Sequence, residues 1–561
     1  MVGVNGMGQY LNPGKQNYLM AVNSDIFIDK SEMISFLNSV VKTQQRYVSV
    51  SRPRRFGKTM AADMVCAYYG RGADSRALFE TLKLSQIKSE TEKLAWDKYL
   101  GEFDVIRVVM TDFFKKNISS DSALQKLQQL VAREIVKEYP NADYFDEKDL
   151  IQTIADAYTD NPRQLVFVID EWDAIFRESK DDKDGQIRYL DFLRDLLKDK
   201  SYIALAYMTG ILPIKKYGKH SALNMFDEYS MISPMQLARY TGFTDDEVRE
   251  LCNEYGRDFD TLKEWYDGYE VSDIIPPDPN YEHQEKTGME KEAKHYSIYS
   301  PLSVLKAVKT GYIQNYWNKT ESYEALAKYI NMNYSGLKDV VALMMDGGSV
   351  KVNTSTYQND MTSFASKNDV LSLLINLGYL RYDFETMEAS IPNKEILDEF
   401  RTSTQTEDWT EVFKAFTVSE KLLNATWAKD ADKVAELIED AHNLAGNRTY
   451  NDEAALSYAV QYAYYAAQKY YTTILELDTG KGYADIVFIP SPKHFDKPAM
   501  VVELKYNKDA STALNQIRQQ KYPAKLEHYK GNILLVGINY DKDAASTDPD
   551  FKHHTCVIET A

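Results

Sequence analysis

A chain of 561 residues with 44% apolar content is long enough for three or four domains, each with its own core. Its net charge of −18 argues against a nucleic-acid binder that uses its whole surface, and leaves room for a local basic groove. No apolar run approaches the roughly 20 residues of a membrane span and no signal-type apolar region opens the chain. No membrane partner and a cytoplasmic location are therefore expected, with Cys66, Cys252 and Cys556 as reduced thiols.

The N-terminal "GVNGMG" (Gly3, Gly6, Gly8) follows no strand and reads as a flexible end. "RYVSVS" (46–51) then predicts a buried strand, and "KTMAADMVCAYY" (58–69) a helix. Between them, "RPRRFGKT" ends as a phosphate-binding loop ends, although Arg52 stands where the first glycine of G-x-x-x-x-G-K-[ST] belongs. Further strands are expected at 104–114, in "QLVFVIDEWD" (164–173) and at 202–210, with a helix at 121–139 and a fifth strand within 227–234.

This is the element order of a P-loop ATPase with an extra strand between its Walker A and Walker B segments. Lys58 would meet the β- and γ-phosphates of ATP, and Thr59 and Asp170 would hold Mg²⁺. Glu171 would polarise the attacking water, and Thr209 would take a sensor position. Arg52, Arg55, Phe56 and Gly57 complete the candidate nucleotide set, with Arg52, Arg54 and Arg55 as cations lining the phosphates. The competing reading is a basic loop that resembles a phosphate site by accident.

From "GFTDDEVREL" (242–251) the pattern turns helical, with Thr244 as N-cap. "WYDGYE" (265–270) suits packing against the ATPase core, and residues 271–295 read as a surface insertion. "NDVLSLLINLGYL" (368–380) and the alternating 381–393 suggest a winged helix, too apolar to read DNA and better suited to an interdomain lid. Two helices are expected over 405–445.

Eight segments together resemble the bacterial predicted AAA-ATPase-like family: "FIDKSEMISFL", "SRPRRFGKT", "FVIDEWD", "MTGILPI", "WYDGY", "YSPLSVL", "LGYL" and "IPNKEI". The resemblance runs over essentially the whole chain, and Arg52 belongs to the family's own pattern. It implies an α/β fold: a P-loop domain at 1–240, a helical lid and winged-helix-like region at 241–400, a helical linker at 401–445 and a PD-(D/E)XK nuclease-like domain at 446–561. Both activities are implied.

In "GKGYADIVFIPSP" and "AMVVELKYN", two strands carry Asp485 and Glu503-x-Lys505. Paired as in the nuclease fold, the two carboxylates and the Leu504 carbonyl offer Mg²⁺ hard oxygen ligands. Lys505 would orient water and offset charge on the phosphate. The resemblance adds Glu453 as a further metal ligand, and Gln516 and Tyr522 as core-helix residues set wider apart than in related nucleases. His553 and His554 read as solvated.

The sequence thus points to an ATP-dependent or ATP-regulated nuclease acting on nucleic acid, DNA in the first instance, and possible as a homo-oligomer. The alternative is a nucleotide-operated switch whose C-terminal domain binds a partner without cutting.

Overall fold

The computed structural model describes residues 8–87, 95–214, 222–274, 294–317, 323–359, 361–362, 364–444, 453–478, 483–492, 494–513, 526, 529, 532–541 and 553–561. Gly3, Gly6, most of the 271–295 insertion, Gln516, Tyr522 and most of the helix expected at 511–529 lie outside those residues. Two compact units form: residues 1–329 with 351–399, and residues 330–350 with 400–561. No helix among the described residues is long and apolar enough to cross a membrane.

The first unit is built on a parallel sheet of β1 (Tyr47–Ser51), β2 (Asp104–Val109), β3 (Leu165–Asp170), β4 (Ile203–Gly210) and β5 (Asp227–Tyr229), in the order β2-β3-β4-β1-β5. β1, β3 and β4 are buried along their whole length. A parallel sheet covered by helices on both faces favours apolar runs such as those of β3 and β4, while β1 buries Ser49 and Ser51 as well. Helix α1 (Lys58–Tyr69) lies against the sheet, its alanines allowing close approach and nine of its twelve residues buried.

Register aligns the carboxyl ends of the strands. Val109 pairs with Asp170, Ile169 with Met208, and Val50 with Thr209. The loop after β1, the acidic end of β3 and the polar tip of β4 therefore share one edge of the sheet, where open α/β sheets bind ligands.

Beyond the sheet, α2 (Ala174–Glu178) follows the acidic turn directly. Helix α3 (Asp245–Tyr255) starts at the expected Thr244, whose side chain and Glu247 form a capping box. Helices α4 (Pro301–Thr310) and α5 (Lys367–Leu377) follow, α5 ending at Gly378 with φ +87°. An antiparallel pair of short strands, Arg381–Asp383 and Glu388–Ser390, comes next.

The middle motifs interlock around the loop after β1. The Phe56 ring meets Tyr269 edge-on at 5.5 Å, and the Tyr269 hydroxyl donates to the Gly378 carbonyl. A Cβ on Gly378 would stand 2.7 Å from Pro53, and one on Gly268 (φ +121°) 2.0 Å from the Pro392 carbonyl oxygen. Asn393 donates to the Asp267 carbonyl at 2.8 Å. The aromatic "WYDGY" segment is thus a packing element, with Tyr266 and Tyr269 fully buried.

The second unit holds a mixed sheet of β6 (Tyr471–Asp478), β7 (Tyr483–Pro490), β8 (Ala499–Tyr506), β9 (Ile533–Tyr540) and β10 (His554–Thr560), hydrogen-bonded in chain order. Only β8 and β9 run parallel. Helices α6 (Glu407–Trp427), α7 (Ala431–Leu444) and α8 (Glu453–Ala463) pack on one face through Leu422, Val434, Leu437, Leu456 and Val460. That face takes Ile486, Phe488, Met500, Val502 and Leu504 from the strands, while Val487 and Val501 point to the other.

Candidate functional sites

In the first unit, the backbone of "RPRRFGKT" turns through two left-handed residues, Arg55 (φ +66°) and Gly57 (φ +83°). Glycine adopts that conformation without strain, and Arg55 does not. Gly57 is the N-cap of α1, so the first amides of the helix open onto the loop. Lys58 is buried, its ammonium donating to the carbonyls of Arg52 at 2.9 Å and Pro53 at 2.7 Å. Burial pulls its pKa down to about 8, against the opposing pull of Asp173, Asp170 and Glu171.

Arg52 lies under the loop instead of in its mouth. Its side chain is 2% exposed and donates to the carbonyls of Ser51 and Tyr229, both at 2.8 Å, tying the end of β1 to β5. Burial lowers even this guanidinium to about 10. Arg54, Arg55 and Thr59 are exposed and line a cleft of about 770 Å³ together with Lys58, Glu171 and Arg177. Phe56 is buried at the cleft lining, its ring packed edge-on against Tyr269.

At the end of β3, Asp170 is buried. One carboxylate oxygen accepts from the Thr209 hydroxyl and from the Glu171 amide at 3.1 Å. The other has no hydrogen-bond partner among the described residues, with the Arg107 guanidinium 4.0 Å away. A buried carboxylate oxygen left open is costly unless a cation completes it, and a hard divalent ion beside phosphate oxygens fits that demand. Thr209 orients Asp170 here, and its hydroxyl is engaged in doing so.

Glu171 has a left-handed backbone (φ +53°) and pairs with Arg177 at 3.3 Å. Asp173, two residues on, is fully buried and accepts from the amides of Ile211 at 3.1 Å and Leu212 at 3.0 Å. It braces the turn after β4, a role its place in "DEWD" does not announce.

In the second unit, strand alternation places the chemistry. The antiparallel register Ile486↔Val502 and Val487↔Val501 brings Asp485 level with Glu503. Both, with Lys505, share the face of Val487 and Val501, opposite the helical core. Asp485 accepts the Leu504 amide at 2.7 Å. The Lys505 ammonium donates to Glu503 Oε1 at 2.9 Å and to the Leu504 carbonyl at 3.0 Å, with Glu503 and Lys505 1% and 5% exposed.

The donor set of two carboxylates and one carbonyl suits a hard cation, although the lysine now sits on two of those oxygens. Among the described residues no three His, Cys, Asp or Glu side chains gather as a metal cluster. Glu453 is the first residue of α8, and its side chain lies outside what is described. His554 is buried, not solvated: its Nδ1 lies 2.6 Å from Glu439.

Residues 14–219 match the family model described as predicted AAA-ATPase. Residues 453–548 match that of the PD-(D/E)XK nuclease superfamily. The chain joins an AAA-ATPase-like domain to a PD-(D/E)XK nuclease-like domain. No curated protein matches it. Among solved structures it is similar to the Aeropyrum pernix ORC2 protein in its ADPNP–ADP complexes, at 12% identity and a TM-score of 0.27, covering 68% of this chain and 96% of that one. It is also similar to Cdc6p from Pyrobaculum aerophilum, at 10% identity and a TM-score of 0.22, covering 73% and 97%.

The AAA-ATPase-like site therefore gathers Gly57, Lys58, Thr59, Asp170, Glu171 and Thr209 at one sheet edge, with Phe56 in the cleft lining and Arg52 outside it. Arg177 was invisible to sequence reasoning. It stands four residues past the acidic turn, and only the fold brings it back.

Proposed function

We propose that the N-terminal cleft binds and hydrolyses ATP with Mg²⁺, and that the C-terminal domain is a metal-dependent nuclease acting on nucleic acid, with DNA the first substrate to test. The observation that carries the first half is the convergence of a lysine, a helix N-terminus and an incompletely satisfied aspartate at the carboxyl edge of one parallel sheet. Thr59 and Asp170 would hold the metal, which when bound neutralises developing phosphate charge. Lys58 exchanges its two loop carbonyls for phosphate oxygens. Glu171 accepts hydrogen bonding from the attacking water once free of Arg177, while Thr209 fixes the Asp170 carboxylate.

In the C-terminal domain Asp485, Glu503 and the Leu504 carbonyl would hold a divalent ion, which when bound activates water. Lys505 sits beside the same oxygens, placed to offset charge on a scissile phosphate. Cleavage of single- and double-stranded DNA and RNA by the purified chain, with Mg²⁺ or Mn²⁺ and with or without ATP, tests the reading. No cleavage under any of these conditions rejects the nuclease half.

One observation favours the alternative, a nucleotide-operated switch with a non-cutting C-terminal domain. The Lys505 ammonium already occupies two of the oxygens a metal would use. ATP turnover without cleavage, together with ATP-dependent binding of nucleic acid or a protein partner, is the outcome it requires.

A further inference from the structure

Arg177, on the short helix after the acidic turn, is a cation of the cleft whose hydrogen bonding is incomplete. Its side chain is 8% exposed, and it lines the same cleft as Lys58, Thr59 and Glu171. A guanidinium carries five N–H donors in a planar fork. Among the described residues one hydrogen bond is made, to Glu171 at 3.3 Å, and the Nε faces Asp173 at 3.5 Å, beyond good hydrogen-bond length. That Nε is buried with no hydrogen-bond partner among the described residues. The Asp173 oxygen it faces, Oδ2, already accepts the Ile211 and Leu212 amides.

A buried guanidinium so weakly satisfied favours a ligand with two anionic oxygens at fork spacing, and a phosphate supplies them. Which phosphate follows from its neighbours. Lys58 and the α1 amides occupy the loop end of the cleft, where the β-phosphate common to a di- and a triphosphate would lie. Glu171 is the water-polarising group, so in-line attack places it beyond the terminal phosphate. Arg177, bonded to Glu171, stands on that outer side.

We propose that Arg177 recognises the terminal phosphate of a nucleoside triphosphate, exchanging its pairing with Glu171 for that phosphate and so distinguishing ATP from ADP. The exchange has two effects: the fork gains partners of proper length, and the Glu171 carboxylate is released toward water. This rests on the reading of the cleft as a nucleotide site.

The test is fluorescence titration of the full chain with N-methylanthraniloyl ATP and ADP in the presence of Mg²⁺. Wild type should bind the triphosphate more tightly. Arg177→Ala should weaken the triphosphate by about 10- to 100-fold, the range of a charge-assisted hydrogen bond, and leave the diphosphate within about twofold. Arg177→Lys should recover part of the loss, and Lys58→Ala should weaken both ligands together. Equal losses of both nucleotides in Arg177→Ala, or an unchanged triphosphate affinity, would overturn the proposal. If the alanine variant does not fold, Arg177→Gln, which removes the charge and keeps much of the reach, is read by the same criteria. Wild type binding both nucleotides equally overturns this inference alone. Wild type binding neither removes the nucleotide reading and this inference with it.

Discussion

The two candidate sites use the same raw materials, carboxylates and a lysine, and assemble them by opposite means. In the nuclease-like domain Asp485, Glu503 and Lys505 stand within regular strands, and the period of two alone puts them on one face. In the AAA-ATPase-like domain the groups stand where strands stop. Their positions depend on left-handed turns at Arg55, Gly57 and Glu171 and on side chains returning from other segments. A site in a strand is rigid and insensitive to its loops. A site at strand ends can be rearranged, and Lys58, Glu171 and Arg177 all hold partners that a ligand would displace.

The sharpest way to break this comparison is to remove one strand-borne carboxylate. Asp485→Ala should reduce cleavage to background and weaken Mn²⁺ binding, while ATP turnover stays within about twofold, the first site being self-contained. Lys505→Ala should also stop cleavage yet bind Mn²⁺ at least as well as wild type, because the ammonium competes for Glu503 and the Leu504 carbonyl; calorimetric metal titration separates the two. At the strand-end site, Glu171→Gln should bind ATP normally and hydrolyse it roughly 10²- to 10⁴-fold more slowly, the usual worth of a general base. Normal turnover in that variant would move the base elsewhere.

Smaller effects test the packing under the loop. Phe56→Ala should cost about 3–5 kcal/mol of stability in the first unit, as for other buried phenylalanines, read as a lowered denaturant midpoint. The gentlest probe is Glu395, buried at 1% exposure and accepting from Ser303 at 2.8 Å, Tyr316 N at 2.8 Å and Trp317 N at 3.1 Å. Burial raises its pKa to about 7 against those bonds. A carboxyl whose folded pKa lies above its unfolded one adds stability below about pH 4.5, and that contribution is lost as pH rises through about 7. Glu395→Gln should therefore narrow the stability difference between pH 4.5 and pH 8 by up to ~3 kcal/mol. An unchanged difference would assign the pH dependence to other groups.

What the sequence disclosed follows the same division. Apolar and β-branched runs marked four of the five parallel strands, the short fifth (Asp227–Tyr229) being polar, and Glu-x-Lys after a strand-borne Asp marked the second site, because alternation is a local property. The direction of Arg52 was not readable. Three arginines in one loop look alike in composition, and only β5 beside β1 offers Tyr229's carbonyl to one of them. Thr209 was legible as a polar strand tip, but its bond to Asp170 depends on the neighbouring strand. The helix Leu337–Met345 belongs to the second unit although the chain returns to the first after it. No local pattern encodes such an excursion.

The interlock around the phosphate loop constrains how this sequence can change. Pro53 touches Gly378, Phe56 meets Tyr269, Tyr269 bonds Gly378, and Gly268 leaves no room beside Pro392. Neither glycine can gain a side chain without displacing its proline neighbour. Four stretches separated by more than a hundred residues in places therefore form a single unit of inheritance, which drift must alter in concert or leave as it stands. A loop exchanged from a P-loop ATPase of the usual pattern would bring its glycine but not its counterparts, and the graft would fail at Tyr269 and Gly378.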